Sequence, residues 1–463
     1  MIARLIPTTL AALLFTSCLL GPNFAGAPDM QLPVTWVNAL PPASDQEDLD
    51  QWWESFGDLQ LTRLIREACL ANPDVISAMI TIDKALSSIR STRSNLFPQI
   101  GISTGGGNGG SFDTSTSHGS WDGALSASWT PDIWGKTRRE MEAAVARLHS
   151  ARAAEGATRT ALAGNVASTY FQWISAKESL RIAREQLEYQ ERTYRITVAR
   201  KAQGFEDELA VAEARTTIAN TRATIPSLEA QISSCENTLA TYLGTTVDQL
   251  AKLKMPSSSV YNLIPRVPTN LPSELLRRRP DIIGAEYDLH ADVADIGVQV
   301  ANLFPSLSLT GNAAAGSGSD FAHFFSNSTW NLGASVSTIL LNRTTLNENV
   351  NLAKLTAFAS VQNYRKVVLA AFAEVEECLI EYAKLTNQLP QYIEAADASK
   401  KAADLSLRMY NAGEANFLNV AAAERSWLSA ELNVISTRQD IRAALARLCV
   451  AMGGGWKEHH RPR

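Results

Sequence analysis

The sequence lacks several features on which common protein classes depend. Beyond residue 18 it has no apolar run of roughly 18 residues or more, so no membrane-spanning helix is predicted. Its 5 cysteines are scattered, and Cys69, Cys235, Cys378 and Cys449 show no CxxC or metal-ligand spacing. Single buried thiols are expected, with a Cys235 to Cys449 disulfide as the alternative. The net charge of -5 provides no basic surface for nucleic acid.

The sequence also offers little support for a catalytic site. The glycine-rich Gly105–Gly110 is not followed by the Lys-Ser/Thr pair of a phosphate-binding loop. Glu374–Glu377 lies in the middle of a helical pattern, where a solvated or interhelical face is expected. His459 and His460 stand in a basic tail rather than near other ligands. The sequence therefore predicts no enzyme, no cofactor and no metal site.

The amino terminus reads as an export signal. Arg4 precedes the apolar run Leu5 to Phe15, and small residues precede Cys18. This order resembles the lipobox of bacterial lipoproteins, with Phe15 in place of the usual leucine. It predicts a signal peptide over residues 1–17, acylation of Cys18 and a lipid-anchored extension over residues 18–58. In the alternative, Cys18 belongs to a signal peptide that is cleaved elsewhere.

An internal duplication organises the rest of the chain. Asn95-Leu96-Phe97-Pro98 recurs as Asn302-Leu303-Phe304-Pro305, and Pro73-Asp74 recurs as Pro280-Asp281. We predict two repeats, 59–250 and 272–455, with a linker at 251–271 and a tail at 456–463.

Each repeat opens with a helical pattern, Leu59 to Leu96 and Pro272 to Phe304, which stops before Pro98 or Pro305 because proline cannot donate to a helical ladder. Apolar residues then alternate with small or polar ones, which predicts strand hairpins at 99–134 and 305–341. The glycine- and serine-rich stretches Gly105 to Ser120 and Ala314 to Thr329 are expected to be mobile loops.

The alternating segments are about ten residues long, which is the length a tilted strand needs to cross a bilayer. Trp121, Trp129 and Trp134 are then expected at the membrane interfaces. The alternative is that these tryptophans belong to the core of a soluble sheet. Open strand edges cannot remain in lipid, so the four strands must close with other copies, as eight strands from two chains or twelve from three.

A long alanine-rich helical pattern follows each hairpin, at about Lys136 to Arg200 and about Thr344 to Met409. A helix of this length is a rod of roughly 100 Å. Each pattern reaches a turn, at Gly204 or Gly413, and a returning helix that ends near Gly244 or Gly453. Two long helical hairpins are therefore predicted, and Pro226 is expected to kink the first returning helix.

Taken together, these elements resemble the TolC-like outer-membrane factors, and more narrowly their NodT-like efflux lipoproteins. The resemblance is carried by the repeated LFP elements, by Leu19–Phe24 after Cys18, by Trp52-Trp53 with Phe56 and Asp58, and by the glycines that end the helices. It implies a mainly α fold with a small β part, a homotrimer with a twelve-stranded outer-membrane barrel, and a periplasmic helical tunnel.

The resemblance also implies a function and partners. The expected protein is a passive duct for small molecules in the outer-membrane lipid. Its expected partners are a periplasmic adaptor protein and an inner-membrane pump of the proton-driven RND type. The alternatives are a duct for type I protein secretion and a structural coiled-coil lipoprotein. In the family the periplasmic aperture lies at the hairpin tips, which here carry the gate candidates Gly204, Glu206, Asp207, Glu208, Gly413, Glu414, Asn416 and Asn419.

The tips depart from the family pattern at one point. Where many members have constricting aspartates, this chain has Asn419 and Ala422. A charged constriction is therefore expected from Glu206, Asp207, Glu208 and Glu414, which three-fold symmetry would turn into carboxylate rings. Helix capping is the alternative role of Glu206 to Glu208.

Overall fold

The computed structural model describes residues 19–30, 33, 35–38, 49–111, 116–250, 275–317, 323–339, 341 and 343–456. The expected signal peptide, Cys18, the expected linker 251–271 and the tail from residue 457, which includes His459 and His460, lie outside the described residues.

The described chain is mainly helical, with one small sheet. Its long helices are α1 (Leu59–Ala71), α2 (Pro73–Ser94), α3 (Lys136–Ala202), α4 (Glu208–Tyr242), α5 (Pro280–Ala301), α6 (Arg343–Ala412) and α7 (Phe417–Ala451). Its strands are β1 (Gln99–Ser111), β2 (Thr116–Trp129), β3 (Ser306–Ser317) and β4 (Thr329–Ser337). The order helix, two strands, long helix, returning helix occurs twice. The fold class predicted from the sequence is confirmed.

The opening helix of the first repeat is not continuous, in contrast to the prediction for Leu59 to Leu96. Asn72 ends α1 in an extended conformation, and Pro73 begins α2. Proline is favoured at a first helical position because it has no N–H to leave unsatisfied. The Asn72 side chain caps the new helix by accepting hydrogen bonds from the backbone N–H of Asp74 (2.8 Å) and of Val75 (3.3 Å).

The strands extend further than the sequence predicted. The stretch Gly105 to Ser120, which was expected to be a loop, is instead paired in the sheet. The pairing runs without interruption from the pair Gly105 and Asp122 to the pair Ser111 and Thr116. Backbone groups form the ladder, so glycine and serine lengthen a strand when a partner strand lies alongside. In the second hairpin β3 continues to Ser317, and the expected loop is correspondingly shorter.

Proline does not interrupt the returning or the long helices. Helix α4, in which the sequence predicted a kink, continues through Pro226. Helix α6 continues through Pro390, a residue that the sequence prediction did not take into account. A proline removes one hydrogen bond from the ladder. In helices of 35 and 70 residues, packing along the remaining turns keeps the helix continuous.

The chain divides into two compact units. The first contains Ile80–Arg152, Ile283–Val367 and the described residues 19–30. Its sheet comprises β1 to β4, and its helices pack closely where Ala143 and Ala146 of α3 meet Ala291 and Ala294 of α5. Small side chains at these positions allow the two helices to approach each other.

The second unit contains the described residues of Ala153–Ile282 and of Val368–Arg463, together with described residues between 33 and 79. Its aromatic core includes Trp52, Trp53 and Phe56, and the ring of Phe56 lies 5.0 Å from that of Phe171. Tyr170 donates a hydrogen bond to Asp58 (2.9 Å), and burial raises the pKa of this tyrosine. The Trp52-Trp53 motif therefore anchors the start of the repeat.

The four described cysteines are thiols, and Cys235 and Cys449 are not joined in a disulfide. Burial raises the pKa of the Cys378 thiol to about 11, so this thiol stays protonated and unreactive at neutral pH.

Candidate functional site

The first candidate element is the sheet, whose strands follow the order β1-β2-β3-β4 with antiparallel neighbours. Residues paired across neighbouring strands point to the same face. One row across the sheet contains Ile102, Leu125, Ala313 and Trp330, and the next contains Ile100, Ala127, Gly311 and Leu332. Trp129 and Leu309 extend this face, which is apolar throughout these rows.

The opposite face is built from small and polar residues. Its rows are Ser103, Ala124, Ala314 and Thr329, then Gly101, Ser126, Asn312 and Asn331, then Ser128, Thr310 and Gly333. The sheet therefore separates an apolar surface from a polar one with the two-residue period of the strands.

The apolar face is exposed. Ile102 is 80% exposed, Leu332 79% and Trp330 78%. Monomeric soluble proteins rarely expose contiguous apolar surface of this kind. Within the described residues, these side chains form no core of a soluble sheet, so the face requires another apolar environment. The outer strands β1 and β4 also pair along one side only within the described sheet.

Tryptophans lie where the strands meet the helices. Trp129 donates its indole N–H to the carbonyl of Leu96 (3.0 Å), and Trp134 donates to the carbonyl of Pro305 (2.7 Å). Pro98 lies between α2 and β1, and Pro305 between α5 and β3. Indole rings with one polar and one apolar side are typical of a membrane interface.

The first hairpin tip joins α3 to α4. Gly204 has φ of 83°, which a side chain would strain, and Phe205 N–H donates to the Arg200 carbonyl (3.0 Å). Asp207 caps α4 by accepting from Ala210 N–H (2.9 Å). Glu208 forms an ion pair with Lys201, and Glu206 lies 3.9 Å from Arg200 Nε. The three carboxylates thus have local partners, and of the three Asp207 is the one that caps the helix.

The second tip joins α6 to α7 and repeats this geometry. Gly413 has φ of 82°, and Glu414 N–H donates to the Met409 carbonyl (2.9 Å). Asn416 caps α7 by accepting from Asn419 N–H (3.2 Å). The candidates Gly413, Glu414, Asn416 and Asn419 therefore form one turn.

Arg200 joins the two tips. Its Nη1 donates to the carbonyls of Tyr410 (2.7 Å) and Asn411 (3.2 Å), which lie in the last turn of α6. Its guanidinium lies 4.7 Å from the centre of the Tyr410 ring, and Tyr410 in turn donates to the Thr197 hydroxyl (3.1 Å). A cation at a helix C-terminus is stabilised by the carbonyls that have no helical partner. We name Arg200, Thr197 and Tyr410 the tip clamp.

An apolar cluster lies beside the tip clamp. It contains Tyr410 of α6, Ala210 and Ala214 of α4, and Phe417, Val420 and Ala421 of α7.

One turn further along α7, Glu424 is 1% exposed. It accepts a hydrogen bond from the Thr193 hydroxyl of α3 (3.2 Å). Within the described part of the chain, no basic side chain pairs with this carboxylate. Burial raises its pKa to about 7, although the bond from Thr193 opposes the shift.

The sequence prediction missed Arg200, Tyr410 and Glu424. The duplication could have indicated Arg200 and Tyr410, because these two residues lie in the last helical turns before Gly204 and Gly413, which match each other in the two repeats. For Glu424 the signal was its spacing. A residue four positions after Val420 lies on the same face of helix α7, and that face is otherwise apolar.

The remaining chemistry of the described residues is limited. None of their helices is both long and apolar enough to be a candidate membrane span. In the same part of the chain, no group of three or more His, Cys, Asp or Glu side chains is arranged to hold a metal ion.

A duplicated chain with a two-faced sheet and two long helical hairpins defines the class of outer-membrane channel proteins. The chain belongs to the outer membrane efflux protein family, whose model matches residues 64–245 and again 271–454. The predicted family is thereby confirmed, and the double match agrees with the internal duplication. It is an outer-membrane protein, and members of this family are channel proteins.

Similar proteins cover nearly the whole chain. The pyoverdine export outer membrane protein OpmQ of Pseudomonas aeruginosa is 30% identical over 92% of this chain and 91% of its own length. The probable outer membrane lipoprotein SilC of Salmonella typhimurium is 30% identical over 93% and 95%. The open-state structure of the MtrE outer membrane channel of Neisseria gonorrhoeae has a TM-score of 0.84 at 26% identity, covering 95% of this chain and 98% of that one.

Proposed function

We propose that three copies of this chain form a passive duct through the outer membrane, the last component of a tripartite efflux system that exports small molecules. The observation that carries the proposal is the two-faced sheet. Its exposed apolar face suits lipid, and its face of glycine, serine, threonine and asparagine suits a water-filled lumen.

The outer strands of the sheet support an oligomer. In hydrocarbon, each unpaired backbone group costs several kcal/mol, so β1 of one copy must pair with β4 of the next. Eight strands from two copies fill their own interior, whereas twelve from three copies leave a lumen. Three copies therefore fit a duct better than two.

The hairpin tips support a role in gating and docking. Phe205 is 70% exposed, Leu209 58% and Leu418 46%, which leaves apolar side chains at both turns for a partner. We assign the partner as a periplasmic adaptor protein and place an inner-membrane pump, proton-driven and of the RND type, behind it. The naming of OpmQ for pyoverdine export favours a small-molecule cargo.

The proposed duct is tested by the mass and conductance of the detergent-extracted protein. We expect light scattering to give three chains per particle and a planar bilayer to show discrete ion-conducting channels. A non-conducting monomer would overturn the proposal, and a conducting particle with a different number of chains would overturn the trimer alone.

Lipid anchoring at Cys18 is a separate proposal with its own measurement. Cells grown with a labelled fatty acid should label the wild-type chain and not Cys18→Ser, since the thiol is the acylated group. Cys69→Ser is the matched control, because Cys69 lies in α1, far along the sequence from the amino terminus. Label retained in Cys18→Ser would contradict anchoring at this residue.

Breaking the tip clamp should favour the open duct. Arg200→Ala removes the donor that holds the α6 carbonyls and leaves them unpaired, at a cost of roughly 1–3 kcal/mol. We expect the open probability in planar bilayers to rise about tenfold or more. Lys201→Ala removes the same charge from the next residue, which pairs with Glu208, and is the control. An equal open probability of the two variants would contradict a role for the clamp.

A further inference from the structure

We infer that Arg139, together with Gly297 and His290, forms a seat for the chain that follows Cys18 and so positions the lipid anchor beside the sheet. The inference rests on the proposed anchoring at Cys18 and deepens it. It assigns a role to the segment Leu19–Phe24, which the sequence singles out as a motif.

Arg139 is the centre of the seat. This side chain is 1% exposed, although it lies in the first turn of α3 and carries a charge. Its Nε donates to the Leu20 carbonyl (3.0 Å), and one terminal nitrogen, Nη2, donates to the Gly21 carbonyl (3.3 Å) and to Asn23 Oδ1 (2.7 Å). The other terminal nitrogen, Nη1, is paired with Glu142 (2.7 Å). A buried arginine is costly unless its donors are satisfied, and here the amino-terminal segment satisfies most of them.

The segment crosses α5 at a point where only glycine fits. Gly21 has φ of 89°, and a Cβ added to it would lie 2.4 Å from the Cα of Gly297. A Cβ added to Gly297 would lie 2.8 Å from both the Leu20 carbonyl oxygen and Arg139 Nε. The two glycines therefore bring the segment and the helix into backbone contact.

The last residue of the motif is held by an aromatic contact. The Phe24 ring stacks on the His290 ring of α5, with centres 4.5 Å apart and planes 13° apart. His290 Nε2 lies 3.1 Å from Glu142 Oε1, so Glu142 joins the arginine and the histidine of the seat. The seat thus contacts the segment at both ends.

The seat lies next to the sheet. Leu20 N–H donates to the carbonyl of Trp134 (3.4 Å), and Trp134 donates its indole N–H to Pro305, which directly precedes β3. An extended chain spans at most about 3.6 Å per residue. An acyl group attached two residues before Leu20 is thereby restricted to the level at which the apolar face of the sheet begins.

A double-mutant cycle tests whether Arg139 acts through the anchor. The outer-membrane yield of oligomer is compared for wild type, Arg139→Met, Cys18→Ser and the double variant, together with fatty-acid labelling of each. We expect Arg139→Met to remain labelled and to lower the yield roughly tenfold, and the double variant to equal Cys18→Ser. Additive losses would show that Arg139 serves only the stability of the fold and would overturn the inference, as would full assembly of either single variant.

Further variants separate the possible failures. If Arg139→Met does not fold, Asn23→Ala with Phe24→Ala removes the contacts from the segment side and should show the same cycle with Cys18→Ser. Arg147→Met, two turns along α3 and paired with Asp295, should assemble normally. If the wild-type chain carries no label, the anchoring proposal itself is overturned. If the wild-type chain is labelled but the losses in the cycle are additive, only the proposed role of the seat is overturned.

Discussion

Leu125→Asp is expected to abolish insertion of the chain into the outer membrane. Leu125 lies in the middle of the apolar face, paired with Ile102 on one side and Ala313 on the other. A charged side chain facing lipid near the middle of the bilayer costs on the order of 2 kcal/mol. In a trimer three copies carry the charge, so the equilibrium for assembly should fall by about four orders of magnitude. The measurement is the amount of heat-modifiable oligomer in purified outer membranes.

The adjacent residue provides a matched control. Ser126 lies on the polar face, in a row with Gly101 and Asn312. Ser126→Asp introduces the same charge into the same strand, but directs it towards the proposed lumen, and should assemble at the wild-type level. Assembly of Leu125→Asp, or loss of Ser126→Asp instead, would show that the two faces are assigned the wrong way round.

The faces of the sheet were largely predictable from the sequence, whereas the extent of its strands was not. Alternation at Ile100 and Ile102, or Leu332 and Ala334, follows from the geometry of a strand and needs no knowledge of neighbours. The glycine-rich stretch from Gly105 offers no alternation to read, because glycine has no side chain to place on either face. Only the partner strand β2 shows that this stretch is paired.

The hairpin tips show the same limit in the helical part. Gly204 and Gly413 mark the turns because a positive φ favours glycine, and this is a local property of the chain. The tip clamp is not local, since Arg200 reaches carbonyls 210 and 211 residues further along the sequence. Side chains that act across two hairpins become visible only when the packing of the hairpins is known.

Glu424 connects the fold of the tip region to the pH of the solution. Unlike Glu206 and Glu208, which are near basic side chains, it is buried and accepts a hydrogen bond from Thr193 of α3. Burial raises the pKa of Tyr189 in the same helix to about 12, with Glu424 and Asp404 adding to the shift and Arg192 opposing it, so the tyrosine stays neutral. Protonation of Glu424 therefore neutralises a carboxylate that is buried between packed helices.

Replacing Glu424 by glutamine should stabilise the protein above neutral pH. The pKa of this carboxyl is about 7 in the folded chain, against roughly 4.3 for an unfolded glutamate. Between these pH values the folded state holds a proton that the unfolded state has lost, so wild-type stability falls as pH rises and levels off above about 7. The loss is on the order of 3 kcal/mol per chain, and Glu424→Gln should avoid it.

The measurement is the temperature at which the detergent-extracted oligomer dissociates, at pH 5 and at pH 8. Wild type should dissociate at a lower temperature at pH 8 than at pH 5, whereas Glu424→Gln should differ little between them and exceed wild type only at pH 8. Glu414→Gln removes an exposed carboxylate from the same tip and should follow wild type. If Glu424→Gln lowers the dissociation temperature at pH 8, the ionised carboxylate contributes to folding, and the proposed source of pH dependence is wrong.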